Sequence, residues 1–341
     1  MQTYLAVATG YQASDASPTP QDTVWLDYLA PSASSLEAFS AQIAQSTGLD
    51  LQRLHVQDAA NPLHPSHYDG TAQYDCVVFR SLLGFEFKAA GAKKSRQLQA
   101  ISTHPITFFI ADRALITVQH SAQAQAHSQL AAIASKLRAP CSPHELMLRF
   151  LNTQVDAYLA LRQPLTDQLD RWQRELLDPR RSFNDWTALL DARLELRKLE
   201  SLSEEQLDAL QELREAWAEP LALPYGSDEL ANLRVRLNDV MEHIGRVLSH
   251  ARRLEESVES AIQLHFAAVS HATNKTVSRL TVVTAIFAPM TLLTGFYGMN
   301  VPLPWQANPQ AYGWILLGMV ASALLMLGIF GGLKLLQNRT R

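Results

Sequence analysis

The spacing of apolar residues changes along this chain, and each change predicts a different kind of element. The first part carries short apolar runs between polar turns. Val24-Trp25-Leu26-Asp27-Tyr28, Cys76-Val77-Val78-Phe79, Ile106-Thr107-Phe108-Phe109-Ile110 and Ala114-Leu115-Ile116-Thr117-Val118 are β-branched or aromatic runs of strand length. Between the first two, Leu36, Phe39 and Ile43 share one helical face, with Ser34 or Ser35 as cap and Gly48 as stop. Asn61 to Gly70 reads as a loop, and Gly91 to Arg96 as a basic turn or hairpin. From about Ser121 the spacing becomes helical. Pro143 opens a helix with Leu146, Phe150, Val155, Leu159 and Leu165, and another runs from Trp186 to Leu199. A further one starts at Ser203, where Ser203-Glu204-Glu205-Gln206 resembles a capping box. Pro220, Pro224 and Gly226 then break the chain.

The last stretch before the C-terminal region has a heptad pattern. Leu230, Leu233, Leu237, Val240, Ile244, Val247, Ala251, Leu254, Val258 and Ala261 recur at spacings of three and four. A helix from Ser227 to Phe296 would be roughly 100 Å long at 1.5 Å per residue. Identical stalks packing together would cover its apolar stripe and predict an oligomer. The alternative is that the stripe packs on helices of the same chain.

Leu280 to Leu333 then contains no charged side chain, a run of 333 − 280 + 1 = 54 residues. That length fits two membrane crossings and a short turn. The first span, from Leu280 to about Tyr297, is unusually polar: Thr281, Thr284, Thr291 and Thr294 lie in it. Ser270, Val277, Thr284 and Thr291 are spaced by seven and form one stripe, with Asn274, Thr281 and Ala288 beside it. Hydroxyls on one face of a membrane helix bond a neighbouring helix, line a wet path, or bond back to their own backbone. Pro289 is expected to bend or loosen this helix. The second span, from Tyr312 to Leu333, has no polar stripe and reads as the lipid-facing one, with Trp305, Tyr312 and Trp314 placed for an outer aromatic belt.

Composition and charge sharpen this picture. At 47% hydrophobic residues the whole chain looks soluble. Yet the first 279 residues carry all 33 acids and 26 of the 29 bases, a net charge of −7, whereas the last 62 carry only Lys334, Arg339 and Arg341. An acidic domain argues against nucleic-acid binding. Cys76 and Cys141 make no disulfide framework, and the start, Met1-Gln2-Thr3-Tyr4-Leu5-Ala6, lacks the basic and apolar regions of a signal peptide. Lys275 and Arg279 precede the first span and Lys334, Arg339 and Arg341 follow the second, while Val301 to Ala311 has no Lys or Arg. The positive-inside rule therefore places both termini in the cytoplasm.

The expected fold is an α+β membrane protein with an N-terminal α/β cytoplasmic domain, a helical middle, and a very long stalk helix continuing into the first of two C-terminal transmembrane helices. The boundaries expected are an α/β domain over 1–140, a helical region over 141–226, a stalk over 227–279, spans over 280–297 and 312–333, an outer loop over 298–311 and a tail over 334–341.

Tyr297-Gly298-Met299-Asn300 closes the first span. Glycine permits a sharp turn there. In a symmetric oligomer, one Asn300 carboxamide per chain makes a ring of oxygens suited to a hard divalent ion that keeps its water shell. No P-loop, nucleophile motif or paired catalytic carboxylates are present, so no catalysis or cofactor is expected.

At this point the chain resembles the CorA family of divalent metal-ion transporters, including its zinc-transporting ZntB branch. The likeness covers the whole length and is carried by Asn274-Lys275, Leu280-Thr281, Phe287, Pro289, Thr291 and Tyr297-Gly298-Met299-Asn300. The resemblance implies a homopentamer in the bacterial inner membrane, with first spans lining a pore and second spans around them. It implies a selectivity motif of Gly298, Met299 and Asn300, and a pore lined by Asn274, Val277, Leu280, Thr284, Ala288 and Thr291. Asp239, in Asp239-Val240-Met241-Glu242-His243, matches an acid that binds a regulatory divalent ion between subunits. The cargo would be magnesium, zinc, cobalt or nickel.

Three features depart from the family pattern. Val301 to Trp314 has no acid, Phe87 to Ala111 has no acid to complete the regulatory site, and Gln263 stands on the stripe where an acid is often found. They move the weight from magnesium towards zinc or another transition metal. His64 with His67, and His243 with His250, are the histidine pairs nearest to a zinc pattern, but neither has a third ligand nearby in sequence. A proton-coupled zinc carrier and a tail-anchored structural or sensor protein remain the other readings.

Overall fold

The computed structural model describes residues 2–7, 10–14, 22–32, 35–84, 88–89, 96–97, 100–120, 124–137, 141–178, 183, 186–219, 223–299 and 310–339. They divide into two compact units, Met1–Ala261 and Ile262–Arg341.

The four expected strands form. They are β3 (Val24–Leu29), β5 (Asp75–Gly84), β8 (Ser102–Ile110) and β9 (Ala114–Gln119). They join β1 (Gln2–Val7), β2 (Gly10–Ala13) and β4 (His67–Gly70) in a seven-stranded sheet ordered β2-β1-β3-β9-β8-β5-β4. Among the described residues only the β3–β9 pairing is parallel. The region expected to be a loop thus contains a strand: His67 to Gly70 pairs antiparallel with Asp75 to Val78 across a short turn. The turn holds because the Thr71 backbone N–H and hydroxyl both donate to the Tyr74 carbonyl. The short strands β6 (Lys88–Ala89) and β7 (Arg96–Gln97) pair on either side of the predicted basic hairpin, whose residues 91–95 lie outside the described residues.

Helices cover both faces of the sheet, which is why its central strands read as nearly continuous apolar runs rather than alternating ones. Val24, Leu26 and Tyr28 face α1 (Leu36–Thr47) and α2 (Arg53–Ala60), where Phe39, Ile43 and Val56 complete one core. Gly48 closes α1 as expected, with φ of 77°, a conformation that favours glycine. Trp25 and Leu115 point the other way, into a larger core with Leu130 of α3 (Ala124–Ser135) and Phe150 of α4 (Pro143–Ala160). On this face the Trp25 indole donates to the Thr117 hydroxyl at 3.0 Å, and Thr117 donates in turn to Asp27.

Three helical expectations change. The helix opened by Pro143 ends at Ala160, and Leu165 belongs to a separate α5 (Arg162–Leu177). Pro164 explains the break, because it has no N–H for the Ala160 carbonyl. Ser203 starts no helix. It lies buried inside α6 (Trp186–Ala216), its hydroxyl donating to the Leu199 carbonyl at 2.8 Å, which satisfies the group without a cap.

The third change concerns the long helix α7 (Ser227–Tyr297). Its heptad stripe from Leu233 to Ala261 is buried within the chain itself. Leu233, Leu237, Val240 and Ile244 belong to the same core as Phe150 and Leu210. Ion pairs bind α7 to α6 farther along: Arg197 meets Glu255 at 2.8 Å, Arg252 meets Glu200 at 2.6 Å and also pairs with Glu204. The stripe is therefore intramolecular, and it carries no argument for an oligomer.

Two buried histidines make this unit acid-sensitive. Burial holds both His104 and His144 at about 4, with His120 and Arg80 adding repulsion at His104. The unfolded chain takes up these protons near pH 6.5, whereas the folded chain resists them until about 4. Stability should therefore fall as pH drops through that window, by about 1.4 kcal/mol per pH unit for each histidine. Urea unfolding at pH 7 and pH 5 checks this, and His104→Asn should remove about half of the slope.

Candidate functional site

The second unit consists of the end of α7 and of α8 (Ala311–Arg339), and each includes a stretch long and apolar enough to cross a membrane. Helix α8 runs on through Arg339, so positions 334–339, expected as a tail, are helical. Tyr312 and Trp314 are exposed at its start, and Trp305 lies outside the described residues.

Burial sorts the end of α7 into two faces. Val282, Ala285, Ile286, Pro289, Met290 and Leu293 are half-buried. Asn274, Val277, Leu280, Thr281, Thr284, Ala288 and Thr291 are exposed. At about 100° per residue, the half-buried positions centre roughly 150° from the exposed set. Helix α8 carries a matching half-buried stripe of Ile315, Met319, Ser322, Ala323, Met326 and Phe330. Five of the six residues expected to line a pore, Val277, Leu280, Thr284, Ala288 and Thr291, thus lie on the face of α7 opposite its covered stripe, and Asn274 lies at its flank, about 90° from the centre of that stripe. Gly295, which the sequence reading did not name, lies on this face too, four residues after Thr291. Helix α7 continues through Pro289 although that residue offers the Ala285 carbonyl no N–H.

The threonines of this face bond to their own helix. Thr281, Thr284 and Thr291 donate to the carbonyls of Val277, Leu280 and Phe287, each at 2.9 Å. With the proton turned inward, each hydroxyl oxygen keeps its two lone pairs free and acts as an acceptor. Such a surface suits the hydrogens of water bound around a cation.

Gly298 is required by a close approach rather than by an unusual backbone angle. Its N–H donates to the Thr294 carbonyl at 2.9 Å, and an added Cβ would stand 2.8 Å from that oxygen. Met299 is exposed. Asn300 and residues 301–309 lie outside the described residues.

Among the described residues no cluster of three His, Cys, Asp or Glu side chains is arranged to hold a metal. His64 contacts Asp58 at 3.4 Å and its ring lies 6.3 Å from that of His67. His250 meets the Thr166 hydroxyl at 3.1 Å and the Arg162 carbonyl at 3.2 Å, which ties α7 to α5. Asp239 is exposed, 3.7 Å from His243, and borders a cavity that also contains Lys136, Arg149 and Arg236.

Comparison with known proteins bears on the whole chain. A family model described as CorA-like Mg²⁺ transporter protein matches residues 20–332. The cobalt/magnesium transport protein CorA of Thermotoga maritima is 26% identical over 188 residues, which cover 54% of this chain and 50% of that protein. A protein of Schizosaccharomyces pombe named as a metal ion transporter is 34% identical over 85 residues, 23% of this chain and 14% of that protein. The matched segments thus span half or less of these curated relatives. Among solved structures, the complete CorA magnesium transporter of Methanocaldococcus jannaschii superposes with a TM-score of 0.72 at 19% identity, covering 96% of each chain. The full-length CmaX protein does so with a TM-score of 0.70 at 18% identity, covering 98% of this chain and 97% of its own.

Proposed function

Because this chain belongs to the CorA family, we propose that it is a homopentameric transporter of divalent cations in the bacterial inner membrane, with both termini in the cytoplasm. The observation that carries the proposal is the exposed face of α7, where Val277, Leu280, Thr284, Ala288 and Thr291 stand opposite the covered stripe and Asn274 stands at its flank. In an assembly with α7 inside and α8 outside, this face lines the axis. Each chain brings Gly298, Met299 and Asn300 to the outer mouth, and a hydrated ion passes five Asn300 carboxamides before meeting the threonine oxygens. No charged side chain stands between Leu280 and Leu333, so no fixed positive charge there repels the ion. The membrane potential assists entry by about 4.6 kcal/mol per 100 mV, at about 2.3 kcal/mol for each elementary charge.

The absence of acids from Val301 to Trp314 favours zinc or another transition metal, such as cobalt or nickel, over magnesium as cargo. Without them the mouth does not concentrate cations electrostatically. The decisive experiment is uptake of Mg²⁺ and Zn²⁺ into proteoliposomes containing an indicator dye, with and without a pH gradient. Uptake driven by voltage and lost in Asn300→Ala is the expected result. Zn²⁺ uptake that rises with a proton gradient would instead make the protein a coupled zinc carrier. If neither ion moved through well-reconstituted protein, the transport reading would end and the tail-anchored structural protein would remain.

A further inference from the structure

The cavity beside Asp239 has the wrong charge for a cation. It measures about 390 Å³ and lies between the end of α3, α4 and α7. Lys136, Arg149 and Arg236 line it, and among the described residues Asp239 is its only acidic lining residue. Arg149 donates through Nε and Nη2 to one oxygen of Glu145, at 3.1 and 2.7 Å, and Arg236 reaches the same oxygen at 3.2 Å. One carboxylate oxygen thus holds two guanidinium groups, each with five N–H donors. Asp239 does not neutralise them either, since its ion-pair partner among the described residues is His243.

A divalent cation entering here would meet three positive side chains and one exposed carboxylate. A phosphate group would meet forked guanidinium donors and an ammonium, the set that recognises its geometry. We propose that this cavity is a phosphate-binding site, taking the di- or triphosphate group of a soluble metabolite or the headgroup of an anionic lipid. The test does not depend on the proposed ion conduction, because the site is read by binding alone.

The test is calorimetric titration of the full-length protein with sodium tripolyphosphate in a neutral detergent. Saturable binding is expected, weakening as ionic strength rises. Arg236→Gln and Lys136→Gln should each weaken it about fivefold, the scale of one exposed charge pair. Both substitutions are at surface positions, and unchanged unfolding temperatures would confirm that the variants fold. Asp239→Asn should tighten binding about threefold by removing the opposing charge. Repeating the titration in nanodiscs of phosphatidylcholine, with and without phosphatidylglycerol, assigns the source. Competition by phosphatidylglycerol identifies a lipid headgroup, and equal affinity identifies a soluble phosphate. Absence of saturable binding, or affinity unchanged in both cation variants, would overturn the site. So would saturable Mg²⁺ or Zn²⁺ binding that Asp239→Asn abolishes, because the cavity would then be a cation site.

Discussion

Gly298→Ala is expected to cut divalent-cation uptake by roughly tenfold or more, a change of about 1.4 kcal/mol in the barrier, while the first unit stays folded. The cause is local. The added methyl would lie 2.8 Å from the Thr294 carbonyl oxygen, and that oxygen is backbone, held by the hydrogen bond from Gly298 itself. Relief must come from moving the chain at the end of α7. Met299 and Asn300 follow directly, so any shift carries the proposed selectivity residues with it. Overpacking of this kind costs about 1–3 kcal/mol where it can relax. Gly318→Ala is the control, since nothing stands within 4 Å of a Cβ there. Flux through proteoliposomes, normalised to reconstituted protein, separates the two. Wild-type flux in Gly298→Ala would remove this glycine from the proposed selectivity motif.

Leu237→Ala should lower the unfolding temperature of the first unit by about 5–15 °C, whereas Val277→Ala should leave it unchanged. Leu237 is fully buried against the sheet-covering helices, and Val277 is 54% exposed on the same long helix. A buried Leu→Ala change costs about 2–5 kcal/mol. In a unit of this size each kcal/mol moves the midpoint by about 2–4 °C. The alternative is a seam between identical stalks, and it makes a different forecast. There, Leu237→Ala would first weaken association, and its effect would grow on dilution. Thermal scans at several protein concentrations distinguish the two, and a concentration-dependent loss would return the stripe to the oligomer.

The two experiments mark how far sequence reading reached. Strands β3, β5, β8 and β9 were legible because their apolar runs are dense and bounded by turn residues. Strands β1, β2 and β4 were not. Tyr68-Asp69-Gly70 is polar and ends in a turn residue, and it becomes a strand only because β5 offers an edge to pair with. Ser203 illustrates a related failure. A capping pattern is local, but whether it caps depends on what the neighbouring turn does, and here the helix simply continues. The candidate site divides in the same way. The threonine stripe and the closing Tyr297-Gly298-Met299-Asn300 were visible as spacing. The cavity at Lys136, Arg149 and Arg236 was not, because Arg236 of α7 joins the other two cations only through the packing of segments distant in sequence.

Sequence alone determined which residues share a helical face, where charge disappears, and that two apolar helices end the chain. These properties depend on composition and on the 3.6-residue period, both of which are local. Only the tertiary structure decided what each face meets. The apolar stripe of α7 from Leu233 to Ala261 is core, whereas Val277 and Leu280 farther along the same helix are exposed. Periodicity specifies that a face must be covered. The partner that covers it is chosen by the packing of distant segments, and for Leu233 to Ala261 that partner is the chain itself.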